Sequence, residues 1–462
     1  MIARNELRFP PGPRARYPGE LFVTISRDTL GLLSRVAREH GDVAGFRLGP
    51  QRMVLLSHPD DIRDLLVTNQ RNFHKGRGLE RAKLLLGEGL LTSEGDFHLR
   101  QRRLAQPAFH RQRIAAYGDT MGQYAARVCD RWRDGQTIDV HDEMMRLTLA
   151  VVAKTLFDAD IERAEAAEVG AALTQTFRSF GFAILPFTEM LDRLHFLPPV
   201  RRFRDARARL DAVIYRMIAE HRADPRDRGD LLSMLLLAQD TEAEASASGA
   251  ARGMTDEQMR DECMTIFLAG HETVSNALTW TFYLLSNAPE VRARVEEEAT
   301  ALAGRVPGAD DMPQLSYTRA VIAEAMRLYP PAWVVGRRAL GACEMGGFSI
   351  PARSVVLTSQ FLVHRDPRWW PDPERFDPDR WVPGTAQHAA GENRPKFAYF
   401  PFGGGTRVCI GEQFAWMEAV LLLTTIVQRW RLSLEPGHPV AIEAIITLRP
   451  KHGMVMRATR RD

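Results

Sequence analysis

The sequence predicts a mainly α-helical fold with a small β region, an α+β class in which one helix is much longer than the others. Apolar residues recur at three- and four-residue spacing, as along one helix face, in segments 58–69, 96–105, 112–133, 141–157, 201–222 and 411–430. The β region is indicated by VAGFRL and RMVLLS, which flank a Gly-Pro-Gln turn at 49–51, and by GGFSIPARSVVLTS at 346–359.

The longest helix is predicted to begin after Thr255, because Thr255 and Gln258 have the spacing of a capping box. Its pattern continues to Asn287 and Pro289, which gives a rod of roughly 50 Å. The middle of this helix, TIFLAGHETVSNALTW, is apolar on both sides of GHET at 270–273. Charged and hydroxyl groups within a stretch that has the composition of a core indicate a functional site.

Length and composition are those of a large globular protein. Residues 1–462 could form about three domains of roughly 150 residues, yet large folds also form one unit, and we expect a single domain with its β-rich part near 40–60 and 335–363. Hydrophobic content of 45% and charged content of 26% exclude the disordered and fibrous classes. The net charge is only +3 and the arginines are spread along the chain, so no nucleic-acid-binding surface is indicated.

The amino-terminal segment indicates where the protein works. MIARNELRFPPGPRARYPGE has neither a signal-peptide pattern nor an apolar run near the ~20 residues that span a bilayer. We therefore expect a cytoplasmic protein without a membrane anchor. The cysteines form no CxxC pair, which argues against a zinc site or a disulfide framework. Two polar, aperiodic segments at 240–253 and 384–395 predict exposed loops.

The strongest chemical signal is FGGGTRVCIG, in which Phe402, Gly405, Arg407, Cys409 and Gly411 have the spacing FxxGxRxCxG. Such a five-position match arises by chance on the order of once in ten thousand chains. The periodic segment after Gly411 puts Cys409 at a helix N-terminus, where the dipole and free N–H groups stabilise a thiolate. The glycines permit a tight turn close to a flat cofactor, and Phe402 can shield the sulfur from water. The motif therefore predicts a thiolate metal ligand in place of a buried core cysteine.

A second motif, Glu324-Ala325-Met326-Arg327, places Glu and Arg three apart on one helix face. Such a pair alone is most often solvated, but here LYPPAWVVGRR and then PERF at 373–376 follow it. In this order, and with FxxGxRxCxG, these motifs resemble the cytochrome P450 family over nearly the whole chain. The resemblance implies one catalytic domain with a long central helix over heme b, Cys409 as axial ligand and Arg407 as a cation for a propionate. It also implies that Arg375 joins Glu324 and Arg327 in a buried charge network.

A third motif on the long helix, Ala269, Gly270 and Thr273, matches the family's [AG]GxxT. A Thr hydroxyl can bond to a carbonyl one turn back and bend the helix, and Gly270 lets a ligand approach the backbone. The resemblance implies that dioxygen lies in this groove and that Glu272 and Thr273 relay protons to it through water. The alternative is a capped kink without chemistry. We interpret His271 as a helix-surface residue, because the motif is complete without it.

Besides Arg407, three residues are expected to contact the heme propionates. His98 and Arg102 lie four apart on one helix face behind GLLTSEGDF, at the position of the family's [WH]xxxR. An HxxxR alone more often marks a solvated face. Arg337, which follows the PPAW turn, occupies a propionate-binding position of the family, and adjacent Arg338 is the less favoured choice.

The segments that line the substrate pocket in this family are apolar here: LLLGEGLL at 84–91, FGFAILPF at 180–187, AWVV at 332–335 and AIITL at 444–448. They predict a medium-to-large apolar substrate, bound by burial of apolar area. The resemblance is to bacterial carotenoid, fatty-acid and terpenoid hydroxylases. The candidate substrate contacts are Leu86, Ala269, Val334, Val335 and Ile446.

The expected reaction inserts one atom of O2 into a C–H bond or a double bond. The sequence contains no flavin or iron–sulfur motif, so we expect electrons from a separate ferredoxin or flavodoxin and its reductase, docked near Arg100, Arg103 and Arg407. One alternative is a peroxide-driven heme-thiolate enzyme, and the other is a heme-thiolate sensor without turnover. The pair Glu272 and Thr273 disfavours both, because peroxide-driven members of the family typically lack such an acid–threonine pair and a sensor would need no proton relay.

Overall fold

The computed structural model describes residues 8–159, 198–238 and 253–461. The chain divides into two compact units. The first takes its described residues from Met1–Arg77, Ala323–Cys409 and Ile446–Arg449, and the second from Gly78–Ile322, Ile410–Ile445 and Pro450–Asp462.

Helices dominate the described residues. In chain order they are α1 Glu20–Arg27, α2 Thr29–His40, α3 Pro59–Arg63, α4 Arg77–Leu86, α5 Gly95–Ala105, α6 Arg111–Cys129, α7 Val140–Phe157, α8 Pro198–Ala223, α9 Leu231–Leu237, α10 Asp256–Ser286, α11 Pro289–Thr300, α12 Ser316–Leu328, α13 Gln360–Val363, α14 Ala386–Ala389 and α15 Glu412–Arg429.

The strands are short and come mostly from the two ends of the chain. They are β1 Val43–Leu48, β2 Gln51–Leu56, β3 Phe73–Lys75, β4 Gln136–Asp139, β5 Val335–Ala339, β6 Cys343–Met345, β7 Phe348–Ile350, β8 Val355–Thr358, β9 Trp430–Leu434, β10 Ile442–Ala444, β11 Leu448–Pro450 and β12 Val455–Arg460.

The first unit is built on a five-stranded sheet of order β1-β2-β8-β5-β3. β1 and β2 form an antiparallel hairpin in which Gly45 pairs with Val54, and β2 continues parallel to β8. Val54 and Val356 are fully buried, because β-branched side chains pack well on the covered face of a sheet. This sheet carries the strand that contains Arg337.

The second unit is helical, with α10 packed against α7 and α8, and α15 packed against α6 and α11. The capping box of α10 is present: Thr255 Oγ1 accepts the Gln258 N–H at 3.2 Å, and Gln258 Oε1 accepts the Thr255 N–H at 3.1 Å. The helix spans 31 residues and is buried over most of its length. The small sheet of this unit has the order β4-β12-β9.

Most of the secondary structure predicted from the sequence is confirmed in the described residues, but the predicted loop at 384–395 contains the short helix α14. The mainly helical class, the hairpin at 43–56, the strands within 346–359 and the long helix from 256 to 286 all form. Segment 58–69 is divided into α3 and the π-helical turn Asp64–Thr68. The predicted pocket segment 180–187 and nearly all of the predicted loop 240–253 lie outside the described residues. No helix in the described part of the chain is long and apolar enough to cross a membrane.

Candidate active site

The loop that carries Cys409 is fixed by its own backbone. The Gly403 N–H donates to Phe400 O at 2.9 Å, and the Cys409 N–H donates to Phe402 O at 3.0 Å, which closes the loop at the cysteine. Cys409 itself is exposed, whereas Cys129 and Cys263 are buried. Cys409 is thus an accessible cysteine on a loop closed by backbone hydrogen bonds, which suits a metal ligand.

Gly405 is required by this loop for two reasons. Its φ is +69°, in the left-handed region where a side chain is strained. An added Cβ would also lie 1.9 Å from Leu66 O in the same unit. Thr406 then ties the loop to Gln70, whose Oε1 accepts the Thr406 N–H at 3.0 Å. The glycine at this position of the motif thus has a steric cause.

The predicted pair of Glu324 and Arg327 is present and fully buried, with both side chains 0% exposed. The guanidinium binds the carboxylate through two bonds, Nε to Oε2 at 2.9 Å and Nη2 to Oε1 at 2.8 Å. Its remaining donors reach the carbonyls of His364, Pro373 and Arg375 at 2.7–3.0 Å. Arg327 therefore binds three backbone carbonyls from two separate stretches of the chain.

Arg375 contributes differently from the expectation. Its carbonyl accepts from Arg327, but its guanidinium is 66% exposed and lies 4.0 Å from Asp377. The buried cation beside Glu324 is Arg380, whose Nε is 3.4 Å from Oε1 and whose side chain is 5% exposed. Trp381 Nε1 also donates to Glu324 Oε2 at 2.9 Å. The reason is geometric, since the turn after 375 brings residues 377–381 to the carboxylate and leaves the Arg375 side chain in solvent.

The central turn of α10 combines an open surface with a buried helix. Ala269 is exposed and Gly270 and Thr273 are half-buried, although residues 259–268 are all buried. The Thr273 hydroxyl donates to Ala269 O at 2.8 Å, one turn back, as predicted. Gly270 faces α7, where an added Cβ would lie 3.0 Å from Val152 Cγ2. The absence of a side chain at Gly270 thus permits α10 to pack against α7. The small exposed residue of this turn is Ala269.

The interpretation of His271 as a surface residue is wrong. The side chain is 0% exposed, and its Nδ1 lies 3.0 Å from Phe267 O. Burial lowers the pKa of His271 to about 4, so the ring is neutral and Nδ1–H donates to that carbonyl. Thr148 of α7 donates to His271 O at 2.9 Å. The sequence could not show this, because the apolar residues around GHET cover every face of the helix.

The candidate propionate contacts are placed in both units. In the second unit, His98 is 3% exposed and Arg102 is half-buried, four residues apart on α5. In the first unit, Arg337 on β5 pairs in register with Lys75 on β3. Only the strand register places Lys75 beside Arg337, and no local sequence pattern indicates this pairing.

The candidate substrate contacts differ in exposure. Leu86 is 2% exposed at the end of α4. Val334 and Val335 are half-buried, and Ile446 is 44% exposed. The predicted residues are thus not all core side chains.

These residues fit heme b. An exposed thiol on a rigid loop suits an axial ligand, and a small exposed residue in an otherwise buried helix suits a flat ring. In the first unit the cations Arg337 and Lys75 suit a carboxylate of the macrocycle, and in the second unit Arg102 does.

Comparison with known proteins agrees with this geometry. The family model described as cytochrome P450 matches residues 10–456. The chain is 41% identical to cyclooctatin synthase of Streptomyces melanosporofaciens, over 86% of this chain and 84% of that protein. It is 36% identical to pentalenene oxygenase of Streptomyces avermitilis, over 91% of both. The crystal structure of the cytochrome P450DA heme domain superimposes with a TM-score of 0.85 at 26% identity, covering 99% of both chains. This chain therefore belongs to the cytochrome P450 family and is a heme-thiolate monooxygenase.

Proposed function

We propose that this monooxygenase oxidises a medium-to-large apolar substrate of the terpenoid class, with fatty-acyl chains as the second candidate. The proposal rests chiefly on the apolar character of the predicted pocket segments. Leu86 and Leu90 are buried, and Val334 and Val335 present aliphatic side chains that are partly exposed. Burial of apolar area contributes roughly 25 cal/mol per Å2 to binding. The relatives named for cyclooctatin and pentalenene, the latter a terpenoid hydrocarbon, support the same class.

In this proposal Cys409 would ligate the heme iron, on the loop formed by Phe402, Gly405, Arg407 and Gly411. Heme b, when bound, supplies the activation of dioxygen and the oxidation of the substrate carbon. The chain supplies a thiolate, whose electron density favours O–O cleavage. The backbone closure at Phe402 O holds the sulfur in one position.

The propionates would be held by His98, Arg102 and Arg337, with Lys75 as an additional cation. A charged hydrogen bond from a guanidinium or imidazolium to a carboxylate is about twice as strong as a neutral one. The buried His98 and the strand-borne Arg337 are both fixed by secondary structure. Such fixed donors orient the cofactor as well as binding it.

Proton delivery would use Thr273 and Glu272. The Thr273 hydroxyl already donates to Ala269 O, so its oxygen lone pairs remain to accept a hydrogen bond from a water molecule. Glu272 is 4% exposed in the same turn. Thr148 and His271 hold the backbone of this turn in place from α7 and from within α10.

We further infer that the two units together form one catalytic domain, since the family match spans both. Electrons would come from a separate ferredoxin or flavodoxin with its reductase, because no flavin or iron–sulfur motif occurs in the sequence. A cytoplasmic location is part of the same proposal. Arg103 is exposed on α5 and Arg100 is half-buried, and Arg407 lies on the cysteine loop. Such cations suit an acidic redox partner.

Spectral titration of the ferric protein tests the substrate class. We expect saturable shifts with a diterpene alcohol or a sesquiterpene hydrocarbon, and weaker shifts with palmitate. Tight binding of small polar or charged compounds, with none of the apolar ones, would overturn the proposal. Turnover with and without a reductant and a ferredoxin then separates the monooxygenase from a peroxide-driven enzyme and from a sensor.

A further inference from the structure

A buried chain of charged side chains connects the segment after α4 with α8. Asp261, on the second turn of α10, accepts the Glu88 N–H at 2.8 Å through Oδ2. Its other oxygen accepts from Arg260 Nη1 at 2.9 Å. Arg260 Nε in turn donates to Asp211 of α8 at 2.7 Å. The Asp261 carboxylate therefore binds both the segment after α4 and the arginine that reaches α8.

The loop Gly87–Leu91, called the anchored loop below, is shaped to approach this carboxylate. Gly87 has a φ of +57°, and an added Cβ would lie 2.0 Å from Asp261 Oδ2. Glu262 holds the same loop, since its Oε2 accepts the Leu90 N–H at 2.9 Å. The anchored loop is thus bound through its backbone, by two successive acidic residues of α10.

A second contact joins α8 to the start of this region. Arg207 Nη1 donates to Leu84 O at 2.6 Å, and Arg207 Nε lies 3.5 Å from Asp211 Oδ2. α8 therefore reaches the α4 end directly through Arg207 and the anchored loop indirectly through Asp211. Both routes end on backbone atoms of residues 84–88.

Stability alone does not account for the buried part of this arrangement. Arg260 is 2% exposed and Asp261 is 7% exposed. Apolar residues of similar volume often stabilise a fold as well as a buried ion pair does. A buried pair does, however, fix one geometry, because leaving either charge without its partner is strongly unfavourable. Through Asp261, this constraint acts on the loop that follows Leu86.

We propose that Arg260 and Asp261 are positioning residues that hold the anchored loop and α8 in one mutual arrangement, and so set the fit of an apolar substrate. The first half of the proposal, that these residues hold the anchored loop and α8 together, concerns only contacts within this chain. The second half rests on the proposed function, because it assumes that Leu86 and the anchored loop line the pocket.

Hydrogen exchange of the ligand-free holoenzyme, read in peptides covering 84–92, tests the first half. Asp261→Ala should accelerate exchange there roughly 10- to 100-fold, the loss of a hydrogen bond to a charged acceptor. Arg260→Gln should also accelerate exchange in this peptide. The hydrogen bonds described for Arg260 go to Asp211 and Asp261, so its effect on the loop would be indirect. The control is Arg222→Gln, which breaks an exposed α8–α10 pair with Asp256, 49% and 52% exposed, and should leave this peptide unchanged.

The proposal is overturned if Arg260→Gln accelerates exchange no more than Arg222→Gln does. Should either buried variant fold poorly, Asp211→Asn tests the same link, because it removes the charge that Arg260 binds on α8. The Asp211 side chain is 24% exposed, and exchange in the same peptide should rise several-fold. An unchanged peptide in that variant also contradicts the proposal.

Ligand affinity tests the second half. Clotrimazole, a bulky apolar heme ligand, should bind Arg260→Gln about ten-fold more weakly than the parent protein, while imidazole binds equally well. Equal loss of both ligands would indicate damage to the heme site and contradict a role in pocket fit. If the parent protein binds no bulky apolar ligand, the proposed substrate class fails, yet the exchange experiment still decides whether the loop is anchored.

Discussion

Replacing Glu324 with Ala should remove the group that organises the buried network of the first unit. The carboxylate binds Arg327 through two hydrogen bonds and lies 3.4 Å from Arg380. It also accepts the Asp377 N–H at 3.0 Å and the Trp381 indole N–H at 2.9 Å. In Glu324→Ala, two buried cations lose this carboxylate, and one buried and one part-buried donor lose their acceptor.

The magnitude follows from these contacts. Breaking a buried ion pair costs about 3–5 kcal/mol, and each buried donor left without an acceptor costs about 1–3 kcal/mol. These terms overlap because the groups touch, so we expect a loss of at least about 5 kcal/mol. A domain of this kind is stable by only ~5–15 kcal/mol. Glu324→Ala should therefore yield little heme-loaded protein.

Heme content per protein, from the ratio of Soret to 280 nm absorbance, and the half-life of heme retention at a fixed temperature measure this effect. A rate is preferable to an equilibrium, since large proteins often unfold irreversibly. Arg380→Ala should also lower both, whereas Arg375→Ala should not, because its 66% exposed guanidinium contributes within about 0.5 kcal/mol. Normal heme content in Glu324→Ala, or an equal loss in Arg375→Ala and Arg380→Ala, would refute this reasoning.

Three further predictions concern the site and the second unit. Cys409→Ala should abolish the strongly red-shifted Soret band of the reduced carbon monoxide complex, and retention of that band would disprove the ligand assignment. Thr273→Ala should keep heme but lower the amount of product per reducing equivalent. The control Thr281→Val, which removes a hydroxyl bonded to its own helix, should not lower it. If both variants form the same amount of product per reducing equivalent, Thr273 is only a structural kink. Burial alone would lower the pKa of His221, but the hydrogen bond and charge of Asp230 outweigh it, so the pKa is raised. The pair therefore stabilises the fold below the ordinary pKa of ~6.5 and loses this contribution as pH rises through the raised pKa. His221→Gln should thus shorten the thermal half-life more at pH 6 than at pH 9, and a pH-independent loss would contradict the pairing.

The sequence by itself determined the features that depend on neighbours along the chain. The capping box at Thr255 and Gln258 forms as predicted, because both hydrogen bonds join residues three apart. The bond from Thr273 to Ala269 O and the pair of Glu324 and Arg327 follow from spacing on one helix in the same way. The position of Cys409 ahead of a helix is also a local property.

The tertiary structure decided which distant groups meet. Arg375 lies within the PERF segment and Arg380 lies shortly after it, and only the path of the turn puts Arg380 beside Glu324. His271 could not be assigned to a face, because hydrophobic periodicity disappears in a helix that is buried on every side. Lys75 becomes a partner of Arg337 through strand register, and Asp261 binds the Glu88 N–H across 173 positions of sequence. Long-range pairs of this kind depend on how elements pack, and no local pattern encodes that packing.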